Sequence, residues 1–204
     1  MLKKFTLLLF CGFLTLNIKG QNFGGGFIIG LSSSQVGGDN LAGFHKAGLL
    51  IGIFASKNIS EYLNFQMEMT YTQKGSNNPK MNDSSHPNYL MQDISLSYIE
   101  VPLVLKYRQS NKINIETGLL TGLLVDGYYN DIRSKMSNVT NPFVNYDIGI
   151  LIGINYKYYK NISLNTRLSN SIFPIGKEDD LNCYNCYTKG KYNSVLSFSL
   201  NYNF

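Results

Sequence analysis

The side chains best suited to chemistry in this sequence are two loop cysteines, two histidines and a set of ionisable residues inside otherwise alternating segments. Cys183-Tyr184-Asn185-Cys186 is a C-x-x-C pair. Such a pair does redox chemistry in a βαβ setting, and no such pattern surrounds it here. Zinc would need two further ligands, which His45 and His86 supply only if three loops converge. In an oxidising compartment the spacing instead suits a small loop-closing disulfide, with Cys183 and Cys186 as the candidates and free thiols as the other state. An acyl-transfer site would need a base beside a nucleophile. His45 and His86 are the only imidazoles, and no spacing singles out a serine near either. The third group comprises Glu68, Glu100, Lys106, Glu116, Asp147 and Arg167, all on the polar parity of alternating segments. Brought face to face, they would make an ion path or a structural plug.

The segments that carry these charges repeat with a period of two. After Glu61, Phe65, Met67, Met69 and Tyr71 alternate with Asn64, Gln66, Glu68, Thr70 and Thr72. This places one set on each face of a β-strand. Eight such segments cover about 22–34, 44–56, 61–74, 93–108, 112–126, 144–157, 161–171 and 192–204. Their connections alternate in length: short at 57–60, 109–111 and 158–160, and long, rich in Asn, Ser, Gly and Asp, at 35–43, 75–92, 127–143 and 173–190. The expected fold is therefore all-β, an eight-stranded antiparallel up-and-down transmembrane β-barrel with short periplasmic turns and long extracellular loops. A soluble lipocalin-like barrel would turn its apolar set inward. Here that set is an unbroken series of Ile, Leu, Met and Tyr, while the opposite face holds Glu68, Glu116, Asp147 and Arg167. Charges of both signs inside a closed barrel are costly unless paired, so the six ionisable residues are expected to form one network.

Composition and both termini agree. The chain has 15 Tyr, 12 Phe and no Trp. Tyr107, Tyr156, Tyr202 and Phe204 fall near the short-turn ends of strands, and Tyr71, Tyr128, Tyr146 and Tyr192 near the long-loop ends. Two belts of amphipathic rings fit two membrane interfaces. Lys3 and Lys4 precede an apolar run over 5–16 that is too short to span a bilayer, followed by Asn17, Lys19, Gly20 and Gln21. Residues 1–20 are expected to be a cleaved secretory signal peptide, and 21–204 one barrel domain exported to the bacterial outer membrane. A lipoprotein reading on Cys11 is disfavoured by Phe10 before it. Loss of Lys3, Lys4 and Lys19 takes the net charge from +5 to +2, so the basic balance argues little for nucleic-acid binding. The alternation over 192–204 ends on Tyr202 and Phe204, which resembles a C-terminal insertion signal read by the barrel assembly machinery.

Tyr98-Ile99-Glu100-Val101-Pro102-Leu103-Val104-Leu105-Lys106-Tyr107 resembles the Tyr-Leu-Glu-Ile-Pro-Leu-Leu-Leu-Lys-Tyr segment of the PorT-like outer-membrane β-barrel family. Glycines from Gly26 to Gly30, the Gln73-Lys74-Gly75 segment, and Gly118 with Gly122 follow in the expected order. The resemblance covers nearly all of 21–204 and implies an eight-stranded outer-membrane barrel. It implies no single function, and the secretion role of the family's namesake is not carried over. Within the motif, Pro102 has no N–H for a β-ladder, so a bulge or pairing break is expected there. Ile94 and Leu96 are apolar on even positions, whereas Ile99, Val101, Leu103 and Leu105 are apolar on odd ones. Either the strand changes phase near Tyr98, or Ile94 and Leu96 lie above the bilayer.

Functionally, these features point to a non-enzymatic barrel, an accessory subunit, anchor or binding surface of the cell envelope. No cofactor and no nucleic acid is expected. The expected partners are outer-membrane lipid, the assembly machinery during insertion, and another envelope protein. A narrow, porin-like channel is the alternative, with a lipid-modifying enzyme at the rim behind it.

Overall fold

The computed structural model of the protein describes residues 23–37, 43–77, 93–131, 134–135, 143–176 and 190–204. In chain order the strands are β1 (Phe23–Gly37), β2 (Lys46–Asn58), β3 (Leu63–Ser76), β4 (Asp93–Arg108), β5 (Ile113–Asp131), β6 (Ser134–Lys135), β7 (Tyr146–Lys157), β8 (Ile162–Ser171) and β9 (Tyr192–Asn203). Eight of them follow the order β4-β3-β2-β1-β9-β8-β7-β5, and β4 pairs with β5 to close the ring. The two residues of β6 only fold back on the end of β5. The result is a closed eight-stranded antiparallel up-and-down barrel whose first and last strands are neighbours.

The three short turns share one device. Ile59 N donates to Leu63 O at 2.8 Å, Gln109 N to Ile113 O at 3.0 Å, and Tyr158 N to Ile162 O at 3.1 Å. In two of them a serine hydroxyl also accepts backbone bonds: Ser60 Oγ from Leu63 N and Ser110 Oγ from Ile113 N, each at 3.1 Å. These polar caps satisfy groups that the ladder releases where the chain reverses.

Parity decides the rest. Phe27, Ile29 and Leu31 of β1, Met67 and Met69 of β3, Leu119 and Leu123 of β5, and Ile150, Ile152 and Ile154 of β7 are exposed on the outer wall. Glu68, Glu100, Lys106, Glu116 and Asp147 are buried inside. An apolar outer band with a polar interior is the inverse of a soluble core and suits lipid. Tyr107, Tyr156, Tyr202 and Phe204 are exposed toward the short-turn end, and Tyr146 is exposed toward the other. The side chain of Tyr128 lies outside the described residues.

Of the two readings of β4, the phase change does not occur. Ile94, Leu96, Tyr98, Glu100, Pro102, Val104 and Lys106 are all buried on one parity. The extra residue sits in the neighbouring strand: Tyr98 pairs with Leu124 but Ser97 with Asp126, so Val125 of β5 is bulged. Pro102 leaves its mark on the other side, where the β3–β4 ladder skips Glu68 and Met69 while keeping register. Ile94 and Leu96 are apolar because they join Val36, Tyr98, Phe143 and Ile175 in a buried cluster inside the long-loop end. Strands β1 and β5 run beyond their expected ends, to Gly37 and Asp131, and form part of the wall around this cluster.

Candidate functional site

The lumen is the place where ionisable side chains converge, and it holds two ionic clusters rather than the single expected network. In the short-turn half, Arg167 of β8 makes a two-pronged contact with Glu68 of β3, with Nη2 2.6 Å from Oε1 and Nη1 2.7 Å from Oε2. Its Nε donates to Glu116 Oε2 at 2.8 Å. Lys106 Nζ lies 2.9 Å from the other Glu116 oxygen, an ion contact without hydrogen-bond alignment. Gln66 Nε2 donates to Glu68 and Asn165 Nδ2 to Glu116, at 2.6 and 2.8 Å. Two carboxylates thus face two cations, with carboxamides taking up remaining lone pairs, as burial of such groups requires.

Toward the long loops, Lys74 stands between Glu100, at 2.5 Å, and Asp147, at 3.1 Å. Asp147 also accepts from Ser171 Oγ at 2.7 Å and Asn193 Nδ2 at 2.9 Å. The ammonium group lies 5.1 Å from the centre of the Tyr98 ring. Lys74 was not among the ionisable residues expected inside, yet it is the hub that joins two that were. The signal was available: Thr70 and Thr72 face inward, and Lys74 is the next residue of that parity.

Glycines make both clusters fit. In the ladder, Gly153 lies between Glu116 and Arg167, and a Cβ there would come 2.7 Å from Arg167 Cγ. The bare backbone lets the long arginine lie across β7 and reach Glu116 and Glu68. Gly122 occupies the same place between Glu100 and Asp147. A void of about 30 Å³, lined in part by Glu68, Arg167, Lys74 and Glu100, separates the clusters. A void of that size has room for water. Val104, Leu120 and Leu151 form a small buried apolar group alongside.

The family model described as outer membrane protein beta-barrel domain matches residues 20–176. The chain belongs to the outer-membrane β-barrel domain family. Among solved structures, the attachment invasion locus protein Ail of Yersinia pestis is similar, with a TM-score of 0.50 and 12% identity over 89% of this chain and 98% of that one. Neisserial surface protein A has a TM-score of 0.47 and 16% identity over 89% and 97% of the two chains. At such identities the Ail likeness concerns the fold alone. No curated protein sequence matches the chain. Family membership places this barrel in the bacterial outer membrane.

Within the outer-membrane barrel, the remaining candidates are dispersed. Cys183, Cys186 and His86 lie outside the described residues, as does the expected signal segment 1–20. His45 follows the long-loop residue Gly43, which has a left-handed φ of 110°. Tyr202 and Phe204 are exposed beside β1, with the Phe204 ring edge-on to Phe27 at 5.0 Å. What the sequence reading missed altogether is a vestibule of about 580 Å³ at the short-turn mouth. Its floor includes Lys106 and Gln66, and its rim carries Arg108, Lys157, Lys160 and Glu61.

Proposed function

We propose that this protein is a non-conducting, non-enzymatic barrel that acts in the envelope as an anchor, accessory subunit or binding surface for other components. The observation that carries the reading is the filled lumen. From the short-turn side, a ligand would meet the Glu68–Arg167–Glu116–Lys106 cluster, a void of about 30 Å³, the Lys74 cluster and then the apolar group around Tyr98. Eight strands leave an interior just wide enough for side chains. A pore would have to break buried ion pairs or the apolar layer to pass an ion, so this reading stands behind the closed barrel. A rim enzyme needs a base aimed at a nucleophile, and the sequence supplies only His45 and His86 as imidazoles.

In this reading residues 1–20 direct export and are removed, the barrel assembly machinery inserts the chain, and the PorT-like motif around Pro102 marks a subgroup without assigning a secretion role. Lipid contacts the outer wall, while the long loops and the periplasmic mouth remain for partners. The deciding experiment is a mild-detergent pull-down of the tagged protein at native expression, with stoichiometry read by mass spectrometry and planar-bilayer recordings on the purified barrel. A stoichiometric envelope partner and no unitary conductance are expected. Steady conductance that changes in Glu116→Gln or Arg167→Gln would overturn the closed reading in favour of a channel.

A further inference from the structure

The periplasmic mouth carries chemistry that neither the barrel wall nor the lumen plug accounts for. Short turns of outer-membrane barrels face the periplasm, so the vestibule of about 580 Å³ opens there. That volume lies in the range of small-molecule sites. Arg108, Lys157 and Lys160 are exposed on its rim and make no ion pair among the described residues. Glu61 is the acidic residue on the same rim. Lys106 below them is committed to Glu116. The mouth therefore presents an excess of positive charge, in a polar recess that lipid tails would not enter.

The walls narrow the class of anion. Asn64 Nδ2 donates to Asn58 Oδ1 at 2.8 Å, which leaves the Asn58 amide N–H groups and the Asn64 carbonyl uncommitted among the described residues. Asn114 Nδ2 donates to Asn155 Oδ1 at 3.3 Å, and Asn155 donates to Ser163 Oγ at 3.1 Å, which leaves the Asn114 carbonyl as an acceptor. Side-chain pairing holds these carboxamides in place before any ligand arrives. A donor and an acceptor side by side match the C=O and N–H of a peptide group, whereas an inorganic anion would use only donors. Arg108 adds the planar fork that suits a carboxylate.

We propose that this vestibule binds the free carboxylate end of a short peptide presented from the periplasm, with Arg108 and Lys157 on the carboxylate and the paired asparagines on the amides. The proposal rests on the binding-surface reading and gives it a specific site. Wall stem peptides and the C-termini of envelope proteins share this chemistry, and stereochemistry separates them. The test is calorimetric titration of the full barrel in lipid nanodiscs with diacetyl-L-Lys-D-Ala-D-Ala and with N-acetyl-tri-L-Ala, each as free acid and as C-terminal amide.

At least one free acid is expected to bind tighter than about 1 mM, with roughly ten-fold preference over its amide. Arg108→Gln with Lys157→Gln should remove that preference while the folded band on unheated gels is retained. Preference for the D-Ala end identifies the wall as the source, and preference for the all-L peptide identifies a protein C-terminus. Equal binding of acid and amide, no binding by either acid, or displacement by inorganic phosphate at the same concentration would each overturn the proposal. The acid–amide comparison uses the unaltered protein, so it holds even if the double variant fails to fold. Failure here leaves the closed-lumen reading intact, because conductance tests that separately.

Discussion

Replacing Arg167 by glutamine is the sharpest test of the plug. The guanidinium makes two contacts with Glu68, at 2.6 and 2.7 Å, and one with Glu116, at 2.8 Å. Both carboxylates are fully buried. In the variant, Glu116 keeps Lys106 and Asn165, but Glu68 keeps only the Gln66 amide and becomes an uncompensated interior charge. Removing one partner of a buried pair costs about 3–5 kcal/mol. Adding Glu68→Gln removes the stranded charge, so the double variant should regain about 2 kcal/mol relative to Arg167→Gln alone, as expected of contacting residues. The assay is urea unfolding in lipid vesicles with linear extrapolation, followed by far-ultraviolet circular dichroism because the chain has no tryptophan. A cost below about 1 kcal/mol for Arg167→Gln would match a solvent-screened pair and refute the reasoning. It would mean that water reaches Glu68 from the short-turn mouth.

Three further outcomes follow from the same geometry. Lys74→Met strips the cation from both Glu100 and Asp147 and should cost about 3–5 kcal/mol in the same assay; an unchanged urea midpoint would show that the upper cluster is hydrated. Ile152→Arg puts a charge on the exposed outer wall of β7 and should cost about 2–4 kcal/mol in lipid but little in detergent, as judged by paired unfolding curves; equal curves would argue that this face is not in hydrocarbon. Deleting Phe204 removes the edge-on contact with Phe27 and should lower the folded fraction in cells several-fold, while barrels refolded in vitro lose only about 1 kcal/mol, the scale of one aromatic pair. An equal loss in both settings would make Phe204 a stability residue rather than an insertion signal.

The sequence by itself determined the period of two, and with it the barrel. Alternation is a local property: strand geometry puts Met67 and Glu68 on opposite faces, and the character of each set says which one meets lipid, so parity could be read residue by residue. Turn lengths, strand number and the inward placement of Glu68, Glu100, Lys106, Glu116, Asp147 and Arg167 all follow from it. Extending the same count by one step would have found Lys74.

Tertiary structure alone decided who meets whom. Arg167 and Glu68 are 99 positions apart, and their contact depends on register across several ladders and on Gly153 leaving the path open. Pairing of Glu100 and Asp147 through Lys74, instead of with the Arg167 group, depends on height along the barrel axis, which parity does not encode. The extra residue beside Tyr98, Val125, belongs to β5, whereas Ile94 and Leu96 mimic a phase change in β4. Their apolar character answers to neighbours from β1, Phe143 and Ile175 rather than to lipid. The vestibule is the extreme case: its cations and asparagines come from several strand ends and turns, ordinary as sequence, and closure of the ring is what gathers them around one mouth.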